Sequence, residues 1–170
     1  RANNGLTFTS VSNAGRLSLQ DGAAGDRLRV TGTLASTGTI AVAVDPRAGT
    51  SDRVVVDGTA NVRGALDVDL VSTTVGESEH IVLSAAGGAT DAGLVLNTQD
   101  SIVSSFALRN DANDIVLVIS TDFAPEGLQP DGSVFGAYLN DNADDPALQA
   151  IFDLAGQAGS VEELTALFSS

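Results

Sequence analysis

The 170-residue chain contains no cysteine, methionine, tryptophan or lysine, and a single histidine and a single tyrosine. Without cysteine there is no disulfide framework, no thiolate metal site and no cysteine nucleophile. Without tryptophan, and with one tyrosine, platforms for stacking bases or sugar rings are scarce. Positive charge is thin as well: eight arginines face 22 acids, for a net charge of −14. A chain this acidic, with no basic cluster, is excluded as a partner of a nucleic-acid backbone. No apolar run approaches the roughly 18 residues that a membrane-spanning helix needs. The chain opens at Arg1 with neither an initiator methionine nor a signal-peptide pattern, which reads as a piece of a longer protein.

What is present is valine, leucine, isoleucine and alanine in short runs, punctuated by 18 glycines. The runs include Leu6 to Phe8, Leu17 to Leu19, Leu28 to Val30, Ile40 to Val44, Val54 to Val56 and Leu66 to Leu70. Further runs follow at Ile81 to Leu83, Leu94 to Leu96, Phe106 to Leu108 and Ile115 to Ile119. From Leu17 onward they recur at a near-even spacing of roughly a dozen positions. Alternation within them is clean, with Ile40, Val42 and Val44 on one face and Leu66, Val68 and Leu70 on one face opposite Asp67 and Asp69. Glycine-centred corners separate them, and a Val-x-Gly signature recurs at Val30, Val56 and Val62. Short, evenly spaced strands with a core of small aliphatics point to an all-β, right-handed parallel β-helix, in which each strand stacks on its equivalent one coil on. The alternative is an antiparallel β-sandwich in which Asp57-Gly58 makes a tight hairpin.

The character changes near Thr121-Asp122. Residues 1–109 hold all eight arginines and 11 acids, whereas residues 110–170 hold 11 acids and no base. Helical spacing appears there: Asp145-Pro146 is a cap and first turn, Leu148, Ile151, Phe152 and Ala155 make one stripe, and Gly156 ends it. Ser160-Val161-Glu162-Glu163 reads as a capping box, and Phe135, Tyr138 and Leu139 mark a third helix after Ser133. The expected organisation is a β-helix over 1–120 and a short, acidic α-helical linker over 121–170.

Residues 28 to 70 carry a resemblance. They run Leu-Arg-Val-Thr-Gly-Thr-Leu, Ile-Ala-Val-Ala-Val-Asp, Ser-Asp-Arg-Val-Val-Val-Asp-Gly-Thr-Ala and Gly-Ala-Leu-Asp-Val in order. This resembles the C-terminal passenger region, or autochaperone, of bacterial autotransporters (type V secretion), with the Ser-Asp unit matched at Ser51, Asp52, Val54, Val56, Gly58 and Ala60. The match covers about residues 28 to 120, and the tail is similar to the linker before that family's outer-membrane β-barrel. The resemblance implies a secreted, cell-surface protein of a Gram-negative outer membrane, whose partners are its own upstream passenger coils and a C-terminal β-barrel. It implies a non-catalytic folding module that templates coil after coil, with no cofactor and no small-molecule substrate.

Candidate chemistry is sparse. His80, with Glu77 and Glu79, does not form a converging ligand set in extended chain and reads as part of a solvated loop. No Gly-x-Ser-x-Gly elbow presents a nucleophile. Asp67 and Asp69 read as a solvated strand face rather than a glycosidase pair. Asn140, Asp141, Asn142, Asp144 and Asp145 lack the spacing of a calcium loop and read as cap and spacer. The expected metal, cofactor and catalytic sets are therefore empty, and the key residues are structural. Val54, Val56, Val62, Leu66 and Val68 fill the interior, Gly58 and Gly64 turn the corners, and Leu148, Ile151 and Phe152 dock the linker. An adhesin module that self-associates or binds a surface ligand, and a non-catalytic fragment of a secreted hydrolase, are the competing readings.

Overall fold

The computed structural model describes residues 6–170. The β region is a solenoid of about four turns. Its first coil is β1 (Leu6–Phe8), β2 (Val11–Asn13) and β3 (Arg16–Ser18). The second is β4 (Arg27–Val30), β5 (Leu34–Ser36) and β6 (Thr39–Asp45), followed by a short return strand, β7 (Thr50–Ser51). In the third, β8 (Arg53–Val56) leads to β9 (Ala60–Leu70), which spans two faces. In the fourth, β10 (Gly76–Ala85) leads to β11 (Ala89–Asn97), which does the same.

Three parallel ladders define the three faces. One runs Leu6, Leu28, Val54, Leu83; the second Val11, Leu34, Ala60, Ala89. The third runs Arg16, Thr39, Ala65, Val95. One coil is therefore the step from Leu28 to Val54, or from Val54 to Leu83, and each coil contributes two of the aliphatic runs. The even rhythm of the sequence is the separation of a coil's first and third faces, as from Val54 to Leu66. The middle face escapes that rhythm because Leu34-Ala35-Ser36 and Ala60-Asn61-Val62 are too short and too polar to register as β runs. Asp57-Gly58 sits at a corner between parallel strands, so the sandwich alternative does not hold.

Inward-pointing side chains stack into columns that form one core, including Leu28, Val54 and Leu83, and Ile40, Leu66 and Leu96. Such columns suit aliphatic side chains of moderate size, because successive rungs lie about 4.8 Å apart and leave no depth for larger groups. The return from the third face to the next first face lengthens at every coil. It runs from Arg16 to Leu28, then from Thr39 to Val54, then from Ala65 to Leu83, each stretch longer than the one before.

The parallel stacking stops after the fourth coil. β12 (Ser104–Asp111) and β13 (Asp114–Thr121) form an antiparallel hairpin, and β13 also pairs antiparallel with β10. Phe106 to Leu108 and Ile115 to Ile119 are thus not further coils, as their even spacing suggests. They close the last one, with Ile115, Leu117 and Ile119 buried against the solenoid core.

Three helices follow. α1 (Pro130–Asp141) begins ahead of Ser133, because Pro130 has no N–H to lose and fits the first helical position. A 3-10 turn (Pro146–Leu148) runs into α2 (Gln149–Ala155), and α3 (Val161–Phe168) ends the chain. Asp145 accepts a hydrogen bond from Ala147 N, and Ser160 Oγ accepts one from Glu163 N at 3.2 Å. The Glu163 carboxylate accepts from Gly159 N rather than Ser160 N, a capping box displaced by one residue. α2 and α3 are too short to persist alone. They gather with α1 around Phe123, Leu139, Phe152 and Leu164, a core distinct from the first.

Candidate functional site

The Ser-Asp unit is the most densely connected stretch of the chain. Alternation places Asp52 in phase with the inward residues Val54 and Val56, and Asp52 is 0% exposed. Its Oδ1 accepts from Gly25 N at 3.0 Å and Asp26 N at 2.9 Å, and its Oδ2 accepts from Ala43 N at 2.7 Å. Its own backbone N–H donates to Ala43 O, and Arg53 N donates to Asp26 O. β3 ends at Ser18, so the rest of β6 has lost its neighbour from the first coil. Leu19 N, the Gln20 side chain and then Asp52 take over those backbone positions. Burial pushes the Asp52 carboxyl up from its ordinary value, against the lowering pull of its three backbone donors. One side chain thus fastens the loop before β4 to β6 of the second coil and to the start of the third. On the other side, Ser51 Oγ and Arg53 Nε both donate to Ile81 O of the fourth coil.

Val54, Val56 and Val62 are at most 1% exposed, and Leu66 and Val68 also lie in the core. Gly58 and Gly64 stand at two corners where coils touch backbone to backbone. A Cβ on Gly58 would fall on the Gly32 carbonyl oxygen, and one on Gly64 on the Gly38 carbonyl oxygen. Gly64 also has φ +96°. Gly87 continues the first stack, where a Cβ would lie 2.9 Å from the Gly58 carbonyl carbon. The same corners hold hydrogen bonds from Gly58 N to Gly32 O and from Gly87 N to Gly58 O.

Phe152 is buried and stacks on Phe123 with ring centroids 5.2 Å apart, while Leu148 and Ile151 are half-buried at the margin of that core. Val75, Ile102 and Val103, from the solenoid's third-corner segments, join the same cluster. The polar fastening comes from a residue outside the apolar stripe. Asp153 Oδ1 accepts from Arg47 Nη2 at 2.9 Å and from Thr73 N at 3.2 Å, and Arg47 also donates to Thr73 O. The helices therefore lean along the third corners of successive coils.

His80 is not in a solvated loop. It points inward from β10, is 3% exposed, and its Nε2 lies 3.1 Å from Ser78 Oγ. Burial lowers its pKa, opposed by the charge of Asp45. Glu79 faces the other way and takes a bidentate pair from Arg109, which also bonds Asp111. That pairing holds the Glu79 carboxyl below its usual range. Asp67 accepts from Asn97 and pairs with Arg16, and both lower its pKa. Of the acidic spacer, Asn140 bridges Asp122 and Phe123 N, Asn142 bonds Tyr138 O, and Asp145 is a cap. Among the described residues no three His, Asp or Glu side chains converge to hold a metal ion. The roles of Asp52 and Asp153 are the ones that reading the sequence misses; for Asp52 the signal was there, in its phase with Val54 and Val56.

No protein-family description matches the chain, and no curated protein is significantly similar to it.

Proposed function

We propose that this chain is a non-catalytic stacking and folding module, the C-terminal end of a passenger of the autotransporter kind, which templates β-helix coils at the outer membrane of a Gram-negative cell. One observation carries the reading: the two ends of the solenoid differ. At the C-terminal end an antiparallel hairpin takes the place of a fifth coil on the first face, and among the described residues the one-sided edge that remains there is β11. At the other end β1, β2 and β3 pair on one side only among the described residues, with Val11, Leu17 and Leu19 half-buried beside them. A parallel edge backed by partly covered aliphatics is a surface on which another coil gains both hydrogen bonds and burial. The packed, stapled coils beneath it supply a rigid template. The partners are upstream coils and a β-barrel, the location is the cell surface, and no bond is made or broken.

The test is urea unfolding and refolding of the chain followed by far-UV circular dichroism. A cooperative, fully reversible β-type transition is expected of a self-sufficient template. Irreversible aggregation, or a disordered chain without urea, would remove the templating role.

A further inference from the structure

The arginines are few and most are spoken for. Arg16, Arg29, Arg47 and Arg109 each pair with a carboxylate. Among the described residues Arg63 has no such partner, and neither do Arg27 and Arg53, although the chain carries 22 acids. The last two are direct partners in the parallel ladder between β4 and β8, so two like charges are stacked one rung apart. Such a placement is unfavourable unless something negative lies between or above the pair. Arg53 is half-buried and its Nε is fixed on Ile81 O, which holds the side chain while leaving both Nη groups uncommitted. Arg27 is exposed and makes no side-chain hydrogen bond to any described residue. Both line a notch of about 250 Å³ with Gly25, Gly49, Thr50 and Ser51, walled by the turn between β6 and β7. The Thr50 hydroxyl, also without a side-chain partner among the described residues, adds a neutral donor. Glycines at two wall positions bring backbone close to the space, and Gly49 holds φ +65° to do so.

We infer that the notch of Arg27, Arg53 and Thr50 binds one tetrahedral oxyanion, a sulfate or phosphate group. Two guanidinium forks and a hydroxyl match three or four oxygens at short range. The net charge of −14 selects against a polyanion, which the rest of the surface would repel. The ligand is therefore a free anion or a single sulfate or phosphate ester on an otherwise neutral molecule. This inference does not depend on the folding role proposed above.

Titration of the whole chain with sodium sulfate, methyl phosphate and a monosulfated sugar, at ionic strength matched with sodium chloride, tests it by calorimetry and by NMR shifts of Gly25, Gly49 and Thr50 amides. Saturable binding at millimolar concentration is expected, weakened about tenfold in Arg27→Gln and unchanged in Arg63→Gln, an exposed arginine outside the notch. Arg27→Gln is the informative variant because Arg27 holds no side-chain contact the fold needs; far-UV circular dichroism confirms that it is folded. Binding by the inorganic anion identifies a free ion as sufficient, and binding by the esters alone identifies an ester; both support the site. No saturable binding of any of the three, or equal losses in Arg27→Gln and Arg63→Gln, overturns it.

Discussion

Asp52 shows how much one side chain can hold. Its two oxygens satisfy three backbone N–H groups from two separate segments. An Asn in its place would keep the shape but turn an amide N–H₂ toward a backbone donor, leaving at least one buried N–H unpaired. Asp52→Asn is expected to cost about 2–4 kcal/mol, read from urea midpoints; a cost under about 0.5 kcal/mol would mean that the staple contributes nothing. His80 supplies a pH dependence of known sign. Its folded pKa lies below the ordinary 6.5 because burial disfavours the imidazolium. The unfolded chain therefore binds the proton more readily, so this contribution to stability is complete above about pH 6.5 and is lost as pH falls below it. Between about pH 7.5 and about pH 5.5 the wild-type urea midpoint should fall more than that of His80→Gln. Parallel slopes would show that the ring is not desolvated. Alternation across Glu79 and His80 correctly put them on opposite faces. Which face was interior depended on β13 lying beside β10, a pairing that no local pattern encodes.

At the level of elements, the corner glycines act through contact between coils rather than through loop flexibility. Gly58 and Gly15 make the point as a pair. A Cβ on Gly58 meets Gly32 backbone, whereas one on Gly15, in the first coil, meets nothing within 4 Å. Gly58→Ala should destabilise by about 2–3 kcal/mol and Gly15→Ala by less than about 0.5 kcal/mol, measured by chemical denaturation. Equal effects would locate the requirement in local conformation instead. The β triplets with branched residues, the Val-x-Gly corners and the capped helices were legible because each is a local pattern with a local cause. The direction of β12 and β13 was not. Period-2 alternation is the same in parallel and antiparallel strands, and the connecting turn, Asp111 to Asp114, carries no glycine to announce a hairpin. Ala112 takes the positive φ of 45° that a glycine would have signalled.

For the molecule as a whole, the two cores share no residue. Deleting residues 122–170 is therefore expected to leave a cooperatively folded β unit, detected as a β-type circular dichroism spectrum stripped of its helical component, with a single urea transition. The cost would come from the uncovering of Val75, Ile102 and Val103, the loss of the Arg47–Asp153 pair, and the loss of the hydrogen bonds that Thr73 N and Ile102 N donate to Asp153 and Ala158 O and that Val103 O accepts from Asp122 N. Melting or aggregation of the truncated chain would show that the helices complete the solenoid rather than decorate it. A net charge of −11 after residue 109 made this change of character visible in the sequence; the side of the solenoid on which the helices lie was not, since it rests on Asp153 meeting Arg47 from the far end of the chain.

The growth of each successive third corner has an entropic meaning. Closing a coil onto its predecessor restricts the loop between Leu28 and Val54, and then the slightly longer loop between Val54 and Leu83. Because closure entropy scales with the logarithm of loop length, the longer coil costs only about 0.1 kcal/mol more than the shorter. The other two corners vary by a single residue: the first runs from Leu6 to Val11 and then from Leu28 to Leu34, and the second from Ala60 to Ala65 and then from Ala89 to Val95, where a bulge between Asp91 and Leu94 restores the register. The steady lengthening from coil to coil is thus gathered along one edge of this prism, so a foreign segment inserted after Ala48 would be carried on the outside of a scaffold that hardly registers its presence.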